Sequence, residues 1–136
     1  MGRDPKRAEA AAAELSRDTG NPRIEALTAD VTRQRDLGQL ADRVAREPLH
    51  VLINNAGVTR SRRELTEDGV EATFAGNVVA PYLLTRLLRP ALAPGARVVN
   101  ITGGVPKGGL DLDNLQGERS FVGCRSTTSA SSRRWR

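Results

Sequence analysis

Aromatic residues, cysteine and long apolar runs are all scarce in this sequence. Only 3% of the 136 residues are aromatic, so any core must be built from Leu, Val, Ile and Ala. The single cysteine, Cys124, excludes an internal disulfide and fits a reducing compartment. No apolar run approaches the roughly 20 residues that span a bilayer, and no apolar leader follows Met1. We therefore expect a cytoplasmic protein with no membrane partner and no metal site.

Acidic residues are missing from the C-terminal segment. From Arg119 onward the chain has five Arg and no Asp or Glu. Removing these five from the 21 basic residues leaves 16, which balance the 16 acidic ones, so the net charge of +5 belongs to this segment. Because few aromatic residues are available to stack on bases, the basic balance does not predict a nucleic-acid partner. The sequence predicts no particular oligomeric state.

Helix-forming and strand-forming segments alternate along most of the chain. Asp4 before Pro5 is typical of a helix start, and Gly20 is a typical stop. Two further helical regions are predicted, one capped by Thr32 and one that opens at Thr66, the second interrupted by glycine and proline. The apolar face of the second helix consists of Leu37, Leu40, Ala41 and Val44. Strands are predicted at Ile24–Val31, Leu49–Ile53 and Ala96–Thr102.

The strand Leu49–Ile53 runs directly into the four residues N-N-A-G. Such a nearly continuous apolar strand is typical of a parallel sheet that is covered on both faces. The alternation of helices and strands predicts an α/β doubly wound sheet, in which ligands bind at the carboxyl ends of strands. Asn54–Gly57 lies at such an end, where small residues let a ligand approach the backbone. The alternative is a plain turn, which Asn and Gly also favour.

Four short motifs follow one another in a fixed order. They are D-V at Asp30–Val31, N-N-A-G at Asn54–Gly57, F-A-G-N-V-V-A-P-Y-L-L-T-R-L-L-R-P at Phe74–Pro90 and R-V-V-N-I-T at Arg97–Thr102. The ordered set resembles the short-chain dehydrogenase/reductase family, especially its retinol-dehydrogenase-like members. The resemblance implies a partial Rossmann-type fold with the central strands and helices only. It also implies NAD(P)-dependent hydride transfer between a small-molecule alcohol and a carbonyl, without identifying the substrate.

Several residues take family roles by this resemblance. Asp30 and Val31 match the pair that contacts the adenine of the cofactor, although a carboxylate at a strand end is also a common cap. Asn77 matches the active-site Asn that holds a water in the proton relay. An amide bonded to the backbone at a helix kink is a compatible alternative. The residues that match the motif lying along the cofactor are Asn54, Asn55, Ala56 and Gly57.

The expected cofactor is NADP or NAD, and Arg3 bears on the choice between them. In the family, a basic residue at the end of the second strand pairs with the 2′-phosphate of NADP, whereas an acidic one selects NAD. A guanidinium binds phosphate through two parallel hydrogen bonds, which suits Arg3 to this role, and the alternative is an exposed terminal arginine. The cluster Arg60, Arg62 and Arg63 is expected to be a solvated loop, with contact to an anionic substrate or cofactor as the alternative.

Three parts of the family pattern are absent from the sequence. The first strand and the turn T-G-x-x-x-G-x-G, which holds the pyrophosphate, would precede residue 1. Gly103 stands where a catalytic Ser is expected, with Thr102 beside it. The motif Y-x-x-x-K, whose Tyr is the general acid and base, is missing, since the only Tyr is Tyr82 and no Lys follows Lys107. We therefore expect weak cofactor binding and little or no dehydrogenase activity.

The C-terminal segment differs in composition from the rest of the chain. Residues 1–123 are expected to form an incomplete NAD(P)-binding Rossmann domain, and residues 124–136 a disordered tail rich in Ser and Arg. Our hypothesis for the tail is a frameshift near Gly123, because suitable codons for Ser126–Ser132 encode Y-D-Q-R-K-L in a shifted frame. The rival hypothesis is a non-catalytic binding module that retains the sheet and holds a partner.

Overall fold

Helix α1, Pro5–Thr19, begins and ends where the sequence predicts. The computed structural model of the chain describes residues 2–103 and 111–122. Asp4 Oδ1 accepts a hydrogen bond from the amide of Arg7 at 3.3 Å, which satisfies one of the amides left over at the helix start. Gly20 ends the helix in the left-handed region, with φ of 67°. The predicted tail and the frameshift hypothesis lie outside the described residues.

Helix α2, Gln34–Val44, takes its cap from a distant part of the chain. Thr32 is the predicted cap, but its hydroxyl donates to Asp30 Oδ1 at 2.7 Å instead. The amide of Gln34 donates to Asp68 Oδ2 at 2.9 Å, across 34 residues of sequence. The prediction is wrong because a carboxylate delivered by the fold supplies the same acceptor that a local hydroxyl would supply.

The third helical region begins later than predicted. The predicted start at Thr66 is wrong, because its hydroxyl accepts from the amides of Asp68 and Val70 and closes a turn. Short polar side chains compete with the helix in this way by bonding the nearby backbone. Helix α3, Ala72–Phe74, instead starts after Glu71, whose carboxylate accepts from two of the amides at the helix start.

A π-helical turn, Ala75–Val79, joins α3 to helix α4, Ala80–Leu88. The amide of Ala80 donates to the carbonyl of Ala75, five residues earlier. Pro81 follows directly, and because it has no N–H, the regular ladder of hydrogen bonds cannot continue through it. The predicted irregularity of this region is confirmed, and Asn77 lies within the wide turn.

Two parallel strands, β1 at Leu49–Asn54 and β2 at Leu92–Asn100, form the sheet of the described residues. Asn54 lies opposite Asn100 in this register, and the amide of Ile101 donates to the carbonyl of Asn54 at 3.0 Å. Both strands are predicted from the sequence, although β2 begins before Ala96. The helical region between them provides the crossover that a parallel pair requires.

The predicted strand Ile24–Val31 is reduced to one parallel bridge between Thr28 and Gly2. The amide of Gly2 donates to the carbonyl of Leu27 at 3.3 Å, and the amide of Ala29 donates to the carbonyl of Gly2 at 3.2 Å. A strand needs a neighbouring strand for its ladder, and among the described residues only Gly2 pairs with this segment. The bridge nevertheless holds Gly2 beside Ala29, which matters for the site.

The core lies between α2, α4 and β1. Its buried members are Ala29, Leu40, Ala41, Leu84 and Leu88, and Leu27, Val44, Leu49 and Leu52 pack against them. The predicted apolar face of α2 is therefore confirmed. The resulting architecture, with parallel strands joined by helices, is a partial α/β Rossmann-type fold.

One face of β1 is left uncovered by the residues that the structure describes. Val51 is 50% exposed and Ile53 is 59% exposed. The prediction that β1 is covered on both faces is wrong, because the buried cluster from α2 and α4 reaches only Leu49 and Leu52. Within residues 2–103 and 111–122, no helix is long and apolar enough to span a membrane.

Candidate functional site

A cavity of about 360 Å³ opens where the Gly2–Thr28 bridge meets the segment after β1. This is the carboxyl end of β1, the end at which α/β sheets bind ligands, and the volume is that of a small-molecule site. The lining consists of small or apolar residues, one threonine and two arginines: Gly2, Arg3, Ala29, Val31, Ala56, Gly57, Val58, Thr59 and Arg60. Among the described residues, this lining includes no Asp or Glu.

Four of the seven residues that the resemblance assigns to the cofactor line this cavity: Arg3, Val31, Ala56 and Gly57. Asn54 instead ties the strands together, since its Nδ2 donates to Asn100 Oδ1 at 2.8 Å and to Thr85 Oγ1 at 3.3 Å. Asn55 is exposed and lines a smaller cavity with Ala56. The two Asn at the strand end therefore differ, and only the first holds β1 against β2 and α4.

Asp30 lies beside the cavity and is bonded on two sides. Its Oδ1 accepts from the amide and the hydroxyl of Thr32 at 3.0 and 2.7 Å, and its Oδ2 lies 3.7 Å from Arg3 Nη1. Burial opposes the charged form, but the hydrogen bonds from Thr32 and the charges of Arg3 and Arg33 outweigh it and lower the pKa of Asp30. The carboxylate thus caps the turn that follows the strand end, which is the alternative role predicted for it, and it also pairs with Arg3.

Asn77 binds the backbone of Val58 through both ends of its amide. The amide of Val58 donates to Asn77 Oδ1 at 2.8 Å, and Asn77 Nδ2 donates to the carbonyl of Val58 at 2.7 Å. A Cβ on Gly76 would lie 2.5 Å from Val58 Cγ2, so the neighbouring glycine permits this close approach. The π-turn therefore fixes the loop after Gly57, and the proton-relay role of Asn77 stays a prediction.

Five residues of the lining lie outside the set that the resemblance assigns to the cofactor: Gly2, Ala29, Val58, Thr59 and Arg60. Gly2 and Ala29 come from the isolated bridge, which periodicity does not reveal. The other three directly follow N-N-A-G, and this proximity to a strand end is the signal that points to them. The side chain of Arg60 is 27% exposed, whereas that of Arg62 is 84% exposed, so the arginine cluster is not one solvated group.

The described part of the site offers binding groups rather than an acid and base pair. Tyr82 lies on α4, is 62% exposed, and its hydroxyl accepts a hydrogen bond from Arg86 at 3.1 Å. Thr102 and Gly103 are exposed after β2 and are not part of the lining. The cavity thus presents two guanidinium groups, a hydroxyl and backbone, with no Tyr or Lys among its described residues.

A family model described as short chain dehydrogenase matches residues 1–110 of the chain. The chain belongs to this family. This match confirms the resemblance that the four ordered motifs indicate. The likeness to retinol dehydrogenases is also confirmed, because two of them, from Mus musculus, are among the relatives of the chain.

Relatives match the dehydrogenase-family chain over most of its length. Dehydrogenase/reductase SDR family member 12 of Bos taurus is 39% identical over 122 residues, which are 87% of this chain and 38% of the relative. Retinol dehydrogenase 13 of Mus musculus is 35% identical over 104 residues, which are 74% of this chain and 31% of the relative. The chain therefore spans well under half the length of either relative.

Solved structures confirm the fold of this family member. A short-chain dehydrogenase from Sphingobium yanoikuyae, in complex with NADPH, has a TM-score of 0.59 and 33% identity, covering 72% of this chain and 40% of that one. A Mycobacterium paratuberculosis protein has a TM-score of 0.71 and 28% identity, covering 90% and 43%. A metagenomic short-chain oxidoreductase in complex with NADP has a TM-score of 0.64 and 27% identity, covering 79% and 51%.

Proposed function

We propose that this chain is the nucleotide-binding part of an NAD(P)-dependent oxidoreductase that acts on a small-molecule alcohol or carbonyl. The observation that carries the proposal is the shared cavity, lined by four residues that the family resemblance assigns to the cofactor. They come from three separate segments of the chain, so the fold and not sequence proximity brings them together. Family membership supplies the class of reaction.

The lining fits the adenosine half of a nicotinamide dinucleotide. Gly2, Ala29, Ala56 and Gly57 present backbone without bulky side chains, so a flat base can lie against the main chain. The two arginines and the lack of a carboxylate in the described lining favour an anionic ligand. When bound, the nicotinamide supplies the hydride chemistry, and the residues of this chain bind and orient the nucleotide.

Arg3 is the residue that we propose to favour NADP over NAD. Asp30 Oδ2 lies 3.7 Å from the guanidinium of Arg3, and this ion pair holds the Arg3 side chain beside the cavity. The side chain is nevertheless 62% exposed. It can therefore turn two of its donors toward a 2′-phosphate. Asp30 and Val31 contact the adenine in this proposal, Asn54 holds the strand end beneath it, and Asn55 lies along the cofactor.

Turnover by the chain itself is expected to be little or none. The sequence lacks Y-x-x-x-K, and the described cavity contributes no Tyr or Lys for proton transfer. Asn77 lies in the π-turn, but the lining of the described cavity offers no Tyr or Lys with which it could form a proton relay. The same observation favours the alternative, a non-catalytic, cytoplasmic binding module that retains the sheet and holds a partner. Rapid NADPH oxidation by the purified chain with a panel of ketones and aldehydes would contradict this expectation.

Saturation-transfer NMR with NADPH tests the proposed binding mode. Because the sequence lacks the pyrophosphate-binding turn, we expect weak binding, which this method detects. The adenine protons should receive more saturation than the nicotinamide protons. Ala56→Leu should fill the cavity and abolish the transfer, whereas Ala10→Leu, on the exposed face of α1, should leave it unchanged. Equal transfer to both ends of NADPH, or no effect of Ala56→Leu, would contradict the proposal.

A further inference from the structure

The loop after β1 carries three arginines in three different environments. The side chain of Arg62 is 84% exposed, and Arg63 Nε donates to the carbonyl of Gln116 at 2.9 Å. Arg60 lines the 360 Å³ cavity, and its side chain is only 27% exposed. Arg60 is therefore the member of this cluster that lies at the proposed nucleotide site.

Glu64 holds Arg60 in a pair that can open at small cost. Arg60 Nε lies 3.2 Å from one carboxylate oxygen of Glu64, and Arg62 Nε lies 3.2 Å from the other. If Arg60 moves away, Arg62 still neutralises the carboxylate. Because partly exposed ion pairs contribute little to stability, a phosphate in the cavity can compete with Glu64 for the guanidinium.

The cavity has a second cation at Arg3, which is paired with Asp30 at 3.7 Å. Arg3 and Arg60 both line the cavity, whereas the carboxylates that pair with them, Asp30 and Glu64, lie outside the described lining. A ligand that carries more than one phosphate matches two guanidinium groups better than a neutral ligand does.

We propose that Arg60 leaves Glu64 to bind a phosphate group of the nucleotide, as a second cationic binding residue beside Arg3. The inference rests on the proposed function and identifies a binding residue that the sequence comparison did not assign. The phosphate is either the 2′-phosphate or the diphosphate of the dinucleotide. Comparison of NADPH with NADH separates the two sources, because NADH has only the diphosphate.

Dissociation constants of NADPH and NADH, measured by NMR titration, test the proposal in Arg60→Met and in the matched control Arg62→Met. Both variants remove one partner of Glu64, but only Arg60 lines the cavity. We expect Arg60→Met to weaken NADPH binding about tenfold, since a charge-assisted contact is lost. Arg62→Met should weaken it by no more than about twofold, because Glu64 then competes somewhat more strongly for Arg60. Weakening for NADPH alone identifies the 2′-phosphate as the partner, and weakening for both nucleotides identifies the diphosphate.

Glu64→Gln provides a test that misfolding cannot imitate, because it predicts a gain. Removing the competing carboxylate should tighten NADPH binding about two- to threefold. Equal dissociation constants for Arg60→Met, Arg62→Met and the wild type, together with no gain in Glu64→Gln, would overturn the role of Arg60 and leave the proposed function standing. Failure of the wild-type chain to bind either nucleotide would overturn both.

Discussion

Gly76 is the position where a single methyl group should disturb the site most. An ideal Cβ there would lie 2.5 Å from Val58 Cγ2 and 2.9 Å from Val58 Cβ. Carbon atoms in contact normally lie about 3.5–4.0 Å apart, so the overlap is roughly 1 Å. Val58 cannot rotate away easily, because its β-branched side chain is stiff and Asn77 holds its backbone through two hydrogen bonds.

The magnitude follows from two opposing effects of Gly76→Ala. Replacing Gly by Ala in a helix gains up to about 1 kcal/mol. Overpacking typically costs about 1–3 kcal/mol, and here the rigid neighbour places the cost toward the upper part of that range. We therefore expect the free energy of unfolding to fall by about 1–2 kcal/mol, and the displaced loop to weaken NADPH binding.

Gly38 in α2 provides the matched control, because a Cβ there would meet nothing within 4 Å. Gly38→Ala should therefore raise the free energy of unfolding by up to about 1 kcal/mol, opposite in sign to Gly76→Ala. Urea denaturation followed by circular dichroism measures both variants. Removing Val58 Cγ2 with Val58→Ala should make Gly76→Ala less costly, as a double-mutant cycle would report. A Gly76→Ala chain as stable as Gly38→Ala would refute the close approach.

Two further predictions concern the groups that hold the site. Asn77→Ala removes two hydrogen bonds to Val58 and should lower the free energy of unfolding by about 1–2 kcal/mol. Amide hydrogen exchange should become faster at Val58, with the buried Leu84 as the control position. Unchanged exchange at Val58 would contradict the contact. Asp30 has a pKa below its ordinary value, so its stabilising contribution is present above the unfolded pKa of about 3.9 and is lost as the pH falls through the folded value. Asp30→Asn should therefore destabilise the chain at pH 7 and differ less from wild type below about pH 4; a gap that widens on acidification would contradict this sign.

Features that depend on neighbouring residues could be predicted from the sequence. The start of α1 at Asp4 and its end at Gly20 are set by local hydrogen bonds and by the conformational freedom of glycine. The end of β1 at N-N-A-G could likewise be predicted, because an apolar run is followed directly by amide and small residues. The second signal places Ala56 and Gly57 at the cavity.

Features that depend on distant contacts could not be read in the same way. The cap of α2 comes from Asp68, which lies 34 residues after Gln34, so the sequence around Thr32 does not predict it. The segment Ile24–Val31 has strand composition but pairs only with Gly2 among the described residues, so pairing rather than propensity decided its structure. The environment of Arg60 depends on where the loop after Gly57 is held, and that position is set by Asn77.

The most direct test of the nucleotide site is chemical-shift mapping of the ¹⁵N-labelled chain during titration with NADPH. We predict that the shift changes are largest at the cavity residues Ala29, Val31, Ala56 and Gly57, and that the residues at the far end of α1 near Thr19 stay unchanged. Changes spread evenly over the chain, or absent at millimolar NADPH, would contradict the account.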